Sequence, residues 1–409
     1  MVIELRGYFH RHKRFSVLNF IRRMGPSSVP QVTAATGLDR KVVTSVLRQL
    51  DREGLVRQKE LGASTGGRRP RLFELDPQFG IAVGVDIGLT HTRAVAVNIK
   101  GELIGGQTTE TVTGERLIEG AIETIEMLLT KLRITRMLGI GVAMAGLLDP
   151  ERTLVIFSPK FGNLKNLPLG KIIGERFGVP VYLEDNARAM ALGEKEFGVG
   201  RETDNFLCVN LATGIGLGIV INGQLYRGAS NCAGELGHIV VEPAGPRCVC
   251  GNYGCLEVMA SGLAIARQAQ DALQQGVASS MREMVKGRLE NITAKTVCQA
   301  AKAGDKLAFT IIEKAADYLA VGLAAVINLF NPEVIILAGG LSLAGDVIWE
   351  PINRRLKVHA LEMPLSKVRI VFSELGEILG ALGATTLVLN RIFEPTGLVL
   401  PKGEKGEIV

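Results

Sequence analysis

No stretch of this 409-residue chain is apolar for long enough to cross a membrane. The longest such run, Leu319 to Ile327, is about half of the ~20 residues a helical span needs. The opening residues, MVIELRGYFHRHKRF, lack the apolar core of a secretory leader. Read this way, the chain is neither exported nor membrane-bound, and the cytoplasm is its expected location. Cysteine is sparse as well: six residues are too few for a disulfide framework, and in a reducing compartment they stay thiols. Acidic residues are short at one end only. Residues 1–80 hold 7 Asp+Glu against 15 Lys+Arg, a net of +8, whereas the remainder holds 34 against 32, a net of −2. Only the amino-terminal part is therefore suited to a polyanion. The length exceeds what one ordinary core organises, so two or three domains are expected.

Half of the cysteine there is falls in one place. Cys248, Cys250 and Cys255 lie within the stretch GELGHIVVEPAGPRCVCGNYGCLE, residues 234–257, with His238 upstream on what reads as the start of a strand. A Cys-x-Cys-x4-Cys loop closed by one imidazole supplies the four N/S ligands of a structural Zn²⁺ site, and Gly251 and Gly254 let so short a loop turn. The competing readings are three thiols that merely pack, or a disulfide with one thiol left over. Packing cysteines do not bunch with glycines, and the compartment argues against the disulfide.

In the first eighty residues, Phe15, Val17, Leu18, Ile21 and Met24 share one helical face, and Gly25-Pro26 ends the helix. Ser28 and Gln31 form a capping-box pattern with Pro30 in the first turn and Gly37 as the stop, which predicts a short second helix. A third begins after Asp39. Its apolar stripe is Val43, Val46, Leu47 and Leu50; Lys41, Thr44, Ser45 and Arg48 repeat that spacing on another face, with Arg40 beside them. One stripe packs and the other is free to read DNA. Residues 54–59 supply a wing strand, and the basic turn that follows, with Arg68, Arg69 and Arg71, suits a phosphate backbone or a minor groove.

From Gly80 onward the texture becomes α/β, and a repeat is visible. VGVDIGLTHTRAVAV at 83–97 is echoed by LCVNLATGIGLGIVI at 207–221, each running into an Asn/Gly turn. Strand, glycine turn, strand in two copies predicts two homologous lobes facing a cleft. Residues 305–330 read as a long central helix, 331–340 as a buried strand ending on Gly339-Gly340, and 376–390 as a last helix that packs back on the first lobe.

Glu-x-Gly-His followed by Cys-x-Cys-Gly-x-x-Gly-Cys-x-Glu resembles the signature of the ROK family of sugar kinases and sugar-responsive repressors. The resemblance covers nearly the whole chain, including the winged helix-turn-helix that the repressors carry and the kinases lack. It implies an α/β two-lobed actin/sugar-kinase-like (ribonuclease-H-like) fold preceded by that DNA-binding unit. It implies zinc on His238, Cys248, Cys250 and Cys255, and a sugar met by Asp185, Asn186, Glu235, His238 and Glu257. It implies nucleotide phosphates, as of ATP, at Asp86, Gly88 and Thr90 from one lobe and at Thr213, Gly214 and Gly216 from the other, with Gly339 and Gly340 on the adenine side.

Two departures set the chain apart from the family's kinases. Leu89 follows Gly88 where they have a second glycine, which would crowd a phosphate. Their catalytic motif is Glu-Asn-Asp-Ala-Asn; here Asn186 aligns with the Asp, and an amide is no general base. Asp185 could substitute only through a bulge, since neighbours on a strand face opposite ways. The expectation is a sugar-responsive repressor, a homodimer or tetramer on double-stranded operator DNA, with domains at 1–79, 80–186 plus 376–393, and 187–375, and a tail at 394–409. An active sugar kinase that also binds DNA is the alternative.

Overall fold

The structure, a computed structural model, describes residues 2–59, 70–149 and 151–394. Its first unit is α1 (Val2–Met24), β1 (Ser27–Ser28), α2 (Val29–Thr36), α3 (Arg40–Arg52) and the wing strands β2 (Val56–Lys59) and β3 (Leu72–Leu75), in a sheet of order β1-β3-β2. The local signals act as expected. Gln31 Oε1 accepts from Ser28 N at 2.8 Å, Gly37 closes α2 at φ 66°, and Asp39 caps α3 by accepting from Lys41 N at 2.7 Å. Val43, Val46, Leu47 and Leu50 are buried. α1 begins at Val2, and one expectation is corrected: Met24, read on the same face as Val17, Leu18 and Ile21, is 66% exposed, because α1 runs past the small core it helps to build. Residues 60–69, with Arg68 and Arg69, and the tail from Pro395 lie outside the described residues.

The first lobe holds β4 (Ile81–Ile87), β5 (His91–Asn98), β6 (Leu103–Glu110), α4 (Leu117–Leu132) and β7 (Met137–Met144). A side sheet of β8 (Leu147–Leu148), β9 (Val155–Ser158) and β10 (Leu164–Leu167) follows, then α5 (Leu169–Phe177) and β11 (Val181–Glu184), and α6 (Asn186–Phe197) leads into the second lobe. The second lobe holds β12 (Phe206–Leu211), β13 (Ile215–Ile221), β14 (Gln224–Leu225), α7 (Leu256–Ala260), α8 (Gly262–Gln274), α9 (Met281–Met284) and α10 (Ala294–Lys302). It continues through the central α11 (Lys306–Phe330), β15 (Val334–Ala338), α12 (Asp346–His359), α13 (Glu362–Lys367) and β16 (Arg369–Phe372) before α14 (Leu379–Phe393).

The two main sheets have one topology. In the first the order is β11-β7-β4-β5-β6 and in the second β16-β15-β12-β13-β14, each with two parallel pairings and then two antiparallel ones. The repeat seen in the sequence is the β4-β5 and β12-β13 hairpins, one at the centre of each sheet. α14 lies directly on β4 and β7: a Cβ on Gly141 would stand 1.8 Å from the Ala384 carbonyl oxygen, so only glycine admits the helix there. α6 is held between the lobes, with Gly193 against Gly383 of α14 on one side and Ala187 and Ala191 against Gly216 and Gly218 of β13 on the other.

One apolar core joins the DNA-binding unit to the first lobe. Val17, Leu18, Ile21, Val32, Leu47 and Phe73 belong to the same buried cluster as Ala82, Val95, Leu138, Ala381, Leu382 and Phe393. Polar contacts back it: Arg22 reaches Glu196 at 2.7 Å and lies over the Phe393 ring, and the buried Glu74 takes Arg57 at 2.8 Å and Lys100 at 3.0 Å. Among the described residues no helix is long and apolar enough to cross a membrane.

Candidate functional site

Between the lobes runs a cleft of about 910 Å³. Its wall gathers Asp185, Asn186, Glu235, His238 and Glu257 together with Asp86, Gly88, Thr90, Thr213, Gly214, Gly216, Gly339 and Gly340. Residues far apart in sequence thus meet on one surface.

The loop that carries the cysteines is built by two short antiparallel contacts, Val240 with Cys255 and Arg247 with Tyr253, and by Cys248 N donating to Asn252 O at 2.7 Å. Gly254 has φ 63°, and a Cβ there would overlap the Glu242 carbonyl oxygen. His238, expected on a strand, ends a 3₁₀ turn, Leu236–His238; Gly237 packs against Ile215 O and leaves no room for a pleated course. The ligand atoms of His238, Cys248, Cys250 and Cys255 all lie within 4.8 Å of one another. A tetrahedral zinc with Zn–S of ~2.3 Å spaces its sulfurs ~3.8 Å apart. Here Cys250 Sγ and Cys255 Sγ are 3.6 Å apart, and His238 Nδ1 is 3.5 Å from Cys248 Sγ. The set fits a four-coordinate metal ion. The other imidazole nitrogen, Nε2, stands 3.9 Å from Glu235 Oε2, so His238 joins the cysteine loop to the cleft wall.

Asp185 and Asn186 correct the strand-alternation argument. β11 stops at Glu184; Asp185 is the N-cap of α6, its Oδ1 accepting from Ala187 N at 3.0 Å and Arg188 N at 3.3 Å, and Asn186 is the first helical residue. Both line the cleft without a bulge. Burial pushes the Asp185 carboxyl up, with Arg188 opposing and Glu235 adding to the rise. Asp86, at the end of β4, is pushed up to about 6 by burial, against the pull of Arg93. Its Oδ1 is buried with no partner, and so is that of Asn210, its counterpart at the end of β12.

The glycine turns already spend part of their hydrogen-bonding capacity. Gly88 N donates to His91 O at 3.0 Å, and Ile215 N donates to Glu257 Oε2 at 3.0 Å. Leu89 lines the cleft but folds part of its side chain onto the first lobe's core, so it crowds the turn less than its size suggests.

Sequence reading missed two groups. Lys160 follows β9 and reaches across the cleft to Glu257 Oε2 at 2.6 Å. Glu184, fully buried, binds Arg188 at 2.8 Å, Arg227 at 2.9 Å and Arg152 at 3.2 Å; Arg227 comes from the second lobe, so the cluster pins the lobes together. No local motif marks Lys160; Glu184 aligns with the first residue of the Glu-Asn-Asp-Ala-Asn motif, but the alignment does not disclose its role as an anchor for three arginines. The hint for Glu184 lay in a charged residue at the end of an otherwise apolar strand.

On the DNA side, Arg40, Lys41, Ser45 and Arg48 are exposed along α3, while the Thr44 hydroxyl donates to Arg40 O at 2.7 Å. Arg71 is exposed at the start of the wing and reaches Gln58 at 3.3 Å.

A winged helix-turn-helix packed onto two repeated α/β lobes, with glycine turns and a Cys₃His loop at their cleft, defines a DNA-binding relative of the actin and sugar-kinase fold. The chain belongs to the ROK family, whose model matches residues 82–391. A xylose repressor from Caldicellulosiruptor bescii is 31% identical over 367 residues, 88% of this chain and 91% of that protein. A glucokinase from Thermotoga maritima is 35% identical over 315 residues, 76% of this chain but 98% of its own. The crystal structure of a ROK family transcriptional regulator, described as a homolog of the E. coli MLC protein, superposes with a TM-score of 0.79 at 28% identity, covering 93% of this chain and 97% of that one.

Proposed function

We propose that this chain is a sugar-responsive transcriptional repressor of the cytoplasm. The observation that carries the reading is one of extent: the regulator structure matches almost end to end, whereas the glucokinase matches only the body. On this reading residues 1–79 bind operator DNA, with Arg40, Lys41, Thr44, Ser45 and Arg48 toward the major groove and Arg68, Arg69 and Arg71 on the backbone or minor groove. The lobes at 80–186 with 376–393 and at 187–375 hold the sugar between them, and two or four copies assemble on the operator. Asp185, Asn186, Glu235, His238 and Glu257 meet its hydroxyls, the carboxylates accepting and the amide both donating and accepting. Zinc on His238, Cys248, Cys250 and Cys255 would fix the loop that presents Glu235 and Glu257, a structural role with no open coordination position. Sugar favours one lobe angle over another, and the DNA-binding units of an assembly are respaced accordingly.

Kinase chemistry is lost in this reading, because Asn186 aligns with the base and two turn amides are engaged internally. The carboxyl of Asp185 at the cleft wall favours the alternative of a DNA-binding sugar kinase. One set of measurements decides. The protein should bind a DNA duplex selected from a random pool, respond to one of D-xylose, D-glucose or N-acetyl-D-glucosamine by a rise in melting temperature and a change in DNA affinity, and show no sugar-dependent ATP turnover. Robust turnover abolished by Asp185→Ala would establish the kinase; DNA binding that survives deletion of residues 1–79 would refute the assignment of the winged unit.

A further inference from the structure

Lys160 and the Ile215 amide converge on one oxygen. Glu257 Oε2 accepts from Lys160 Nζ at 2.6 Å and from Ile215 N at 3.0 Å, an ammonium and a backbone N–H on the same carboxylate oxygen. That is the donor set by which proteins hold a phosphate or carboxylate. We infer that Lys160 and Ile215 N–H form an oxyanion cradle that the protein fills with its own Glu257 carboxylate, so that the cleft accepts uncharged sugars and turns away phosphorylated or acidic ones. The inference rests on the cleft being the sugar site and adds the charge of what it takes.

Each part of the cradle is held in place. Lys160 sits on a turn fixed by the buried Phe161 and by Ser158 Oγ, which donates to Ala145 O at 2.6 Å. Glu257 stands on α7, two residues past Cys255 of the metal loop. Gly214 lies beneath the pair. A Cβ there would be 2.1 Å from Lys160 Nζ and 2.4 Å from Glu257 Oε2, so the pair fills the space over the second glycine turn and a ligand oxyanion cannot share it. The other basic side chains of the cleft wall are His91 and Arg93 near β5, with Arg93 paired to Glu377 at 2.7 Å, His238 in the metal cluster, and Lys295 and Lys302 on α10. Acids elsewhere on the same cleft wall, Asp185 and Glu235 among them, add repulsion to an anion that approaches.

The resident charge can be removed without changing the shape of the cradle, leaving a neutral amide that phosphate can displace. Glu257→Gln keeps the side-chain size and removes the charge. Inorganic phosphate, titrated calorimetrically, should bind this variant at least ~10-fold more tightly than the parent, and the added Lys160→Met change should abolish the gain. Equal phosphate affinity in parent and Glu257→Gln, or a gain that survives Lys160→Met, overturns the inference. Should Glu257→Gln fail to fold, as judged by its melting curve, the parent carries the test: whichever of D-xylose, D-glucose or N-acetyl-D-glucosamine it binds must bind at least ~10-fold more tightly than the corresponding sugar phosphate, and the reverse order overturns the inference. The phosphate titration needs no sugar, so a parent that responds to no sugar counts against the proposed function, while the titration speaks to the cradle alone.

Discussion

Removing the charge from Glu184 should be among the most damaging conservative changes in this chain. The side chain is fully buried, and its two oxygens serve three guanidiniums, one of them, Arg188, only 4% exposed. Glu184→Gln preserves volume but leaves those cations without their carboxylate. Breaking a buried pair in this way costs about 3–5 kcal/mol, which in a lobe of this size is a fall in melting temperature of roughly 6 °C or more. The exposed pair Arg267–Asp271 at 3.9 Å is the control, since Arg267→Ala should leave stability within error. Calorimetry and urea titration followed at Trp349, the single tryptophan, would measure both. The pH dependence adds a check on sign. Burial alone would raise the Glu184 carboxyl, but Arg188, Arg227 and Arg152 prevail and hold it below its ordinary 4.5. A carboxylate with a depressed folded-state pKa contributes fully above the unfolded value and loses that contribution as pH falls through the folded one. The gap between parent and variant should therefore be full near pH 7 and close only in acid, below about 4.5. A loss under ~1 kcal/mol, or a gap indifferent to acid, would refute the account of Glu184 as the charged pin between the lobes.

Cys255→Ser should lower both metal content and thermal stability, because binding of a structural metal is coupled to the folding of its loop; elemental analysis of the parent should give one zinc per chain, and a zinc-free parent that still binds sugar would sink the assignment. Asp86→Asn should stabilise the protein most at pH 8 and less at pH 5, since a carboxyl raised from 3.8 to about 6 opposes folding fully where it is ionised in both states and progressively less as pH falls below that, and equal melting shifts at both pH values would contradict this. Arg48→Ala should relax base preference at one operator position, by about 1–3 kcal/mol if it reads a guanine, and selection from a random pool that returns an unchanged motif would show that Arg48 reads no base.

Where a residue's role was local, the sequence disclosed it. The stripe Val43, Val46, Leu47, Leu50 and the Asp39 cap depend on neighbours a turn away, and the cysteine loop depends on spacing that its own glycines permit. The repeat located both central hairpins. Longer-range facts were not legible. Lys160 and Glu257 are 97 positions apart, and nothing around either advertises the other. Asp185 was misread because a strand period was carried one residue past the strand, where a short acidic side chain is more useful as a cap. His238 was misplaced for a related reason: the β-branched run after it suggested a strand, but the close approach of Gly237 to β13 bends the chain first. Charge imbalance set the first eighty residues apart, yet composition does not reveal that their apolar face is shared with α14.

On the proposed function, that shared face decides which parts would move against which. DNA that gripped α3 would also grip the first lobe, since Val17, Leu18 and Ile21 are packed into one mass with Ala381 and Leu382. Half of the cleft would then be bolted to the operator like the fixed jaw of a vice. The travelling jaw would be the second lobe with its cysteine loop, and a ligand held between them would be reported by the displacement of whatever that lobe carries.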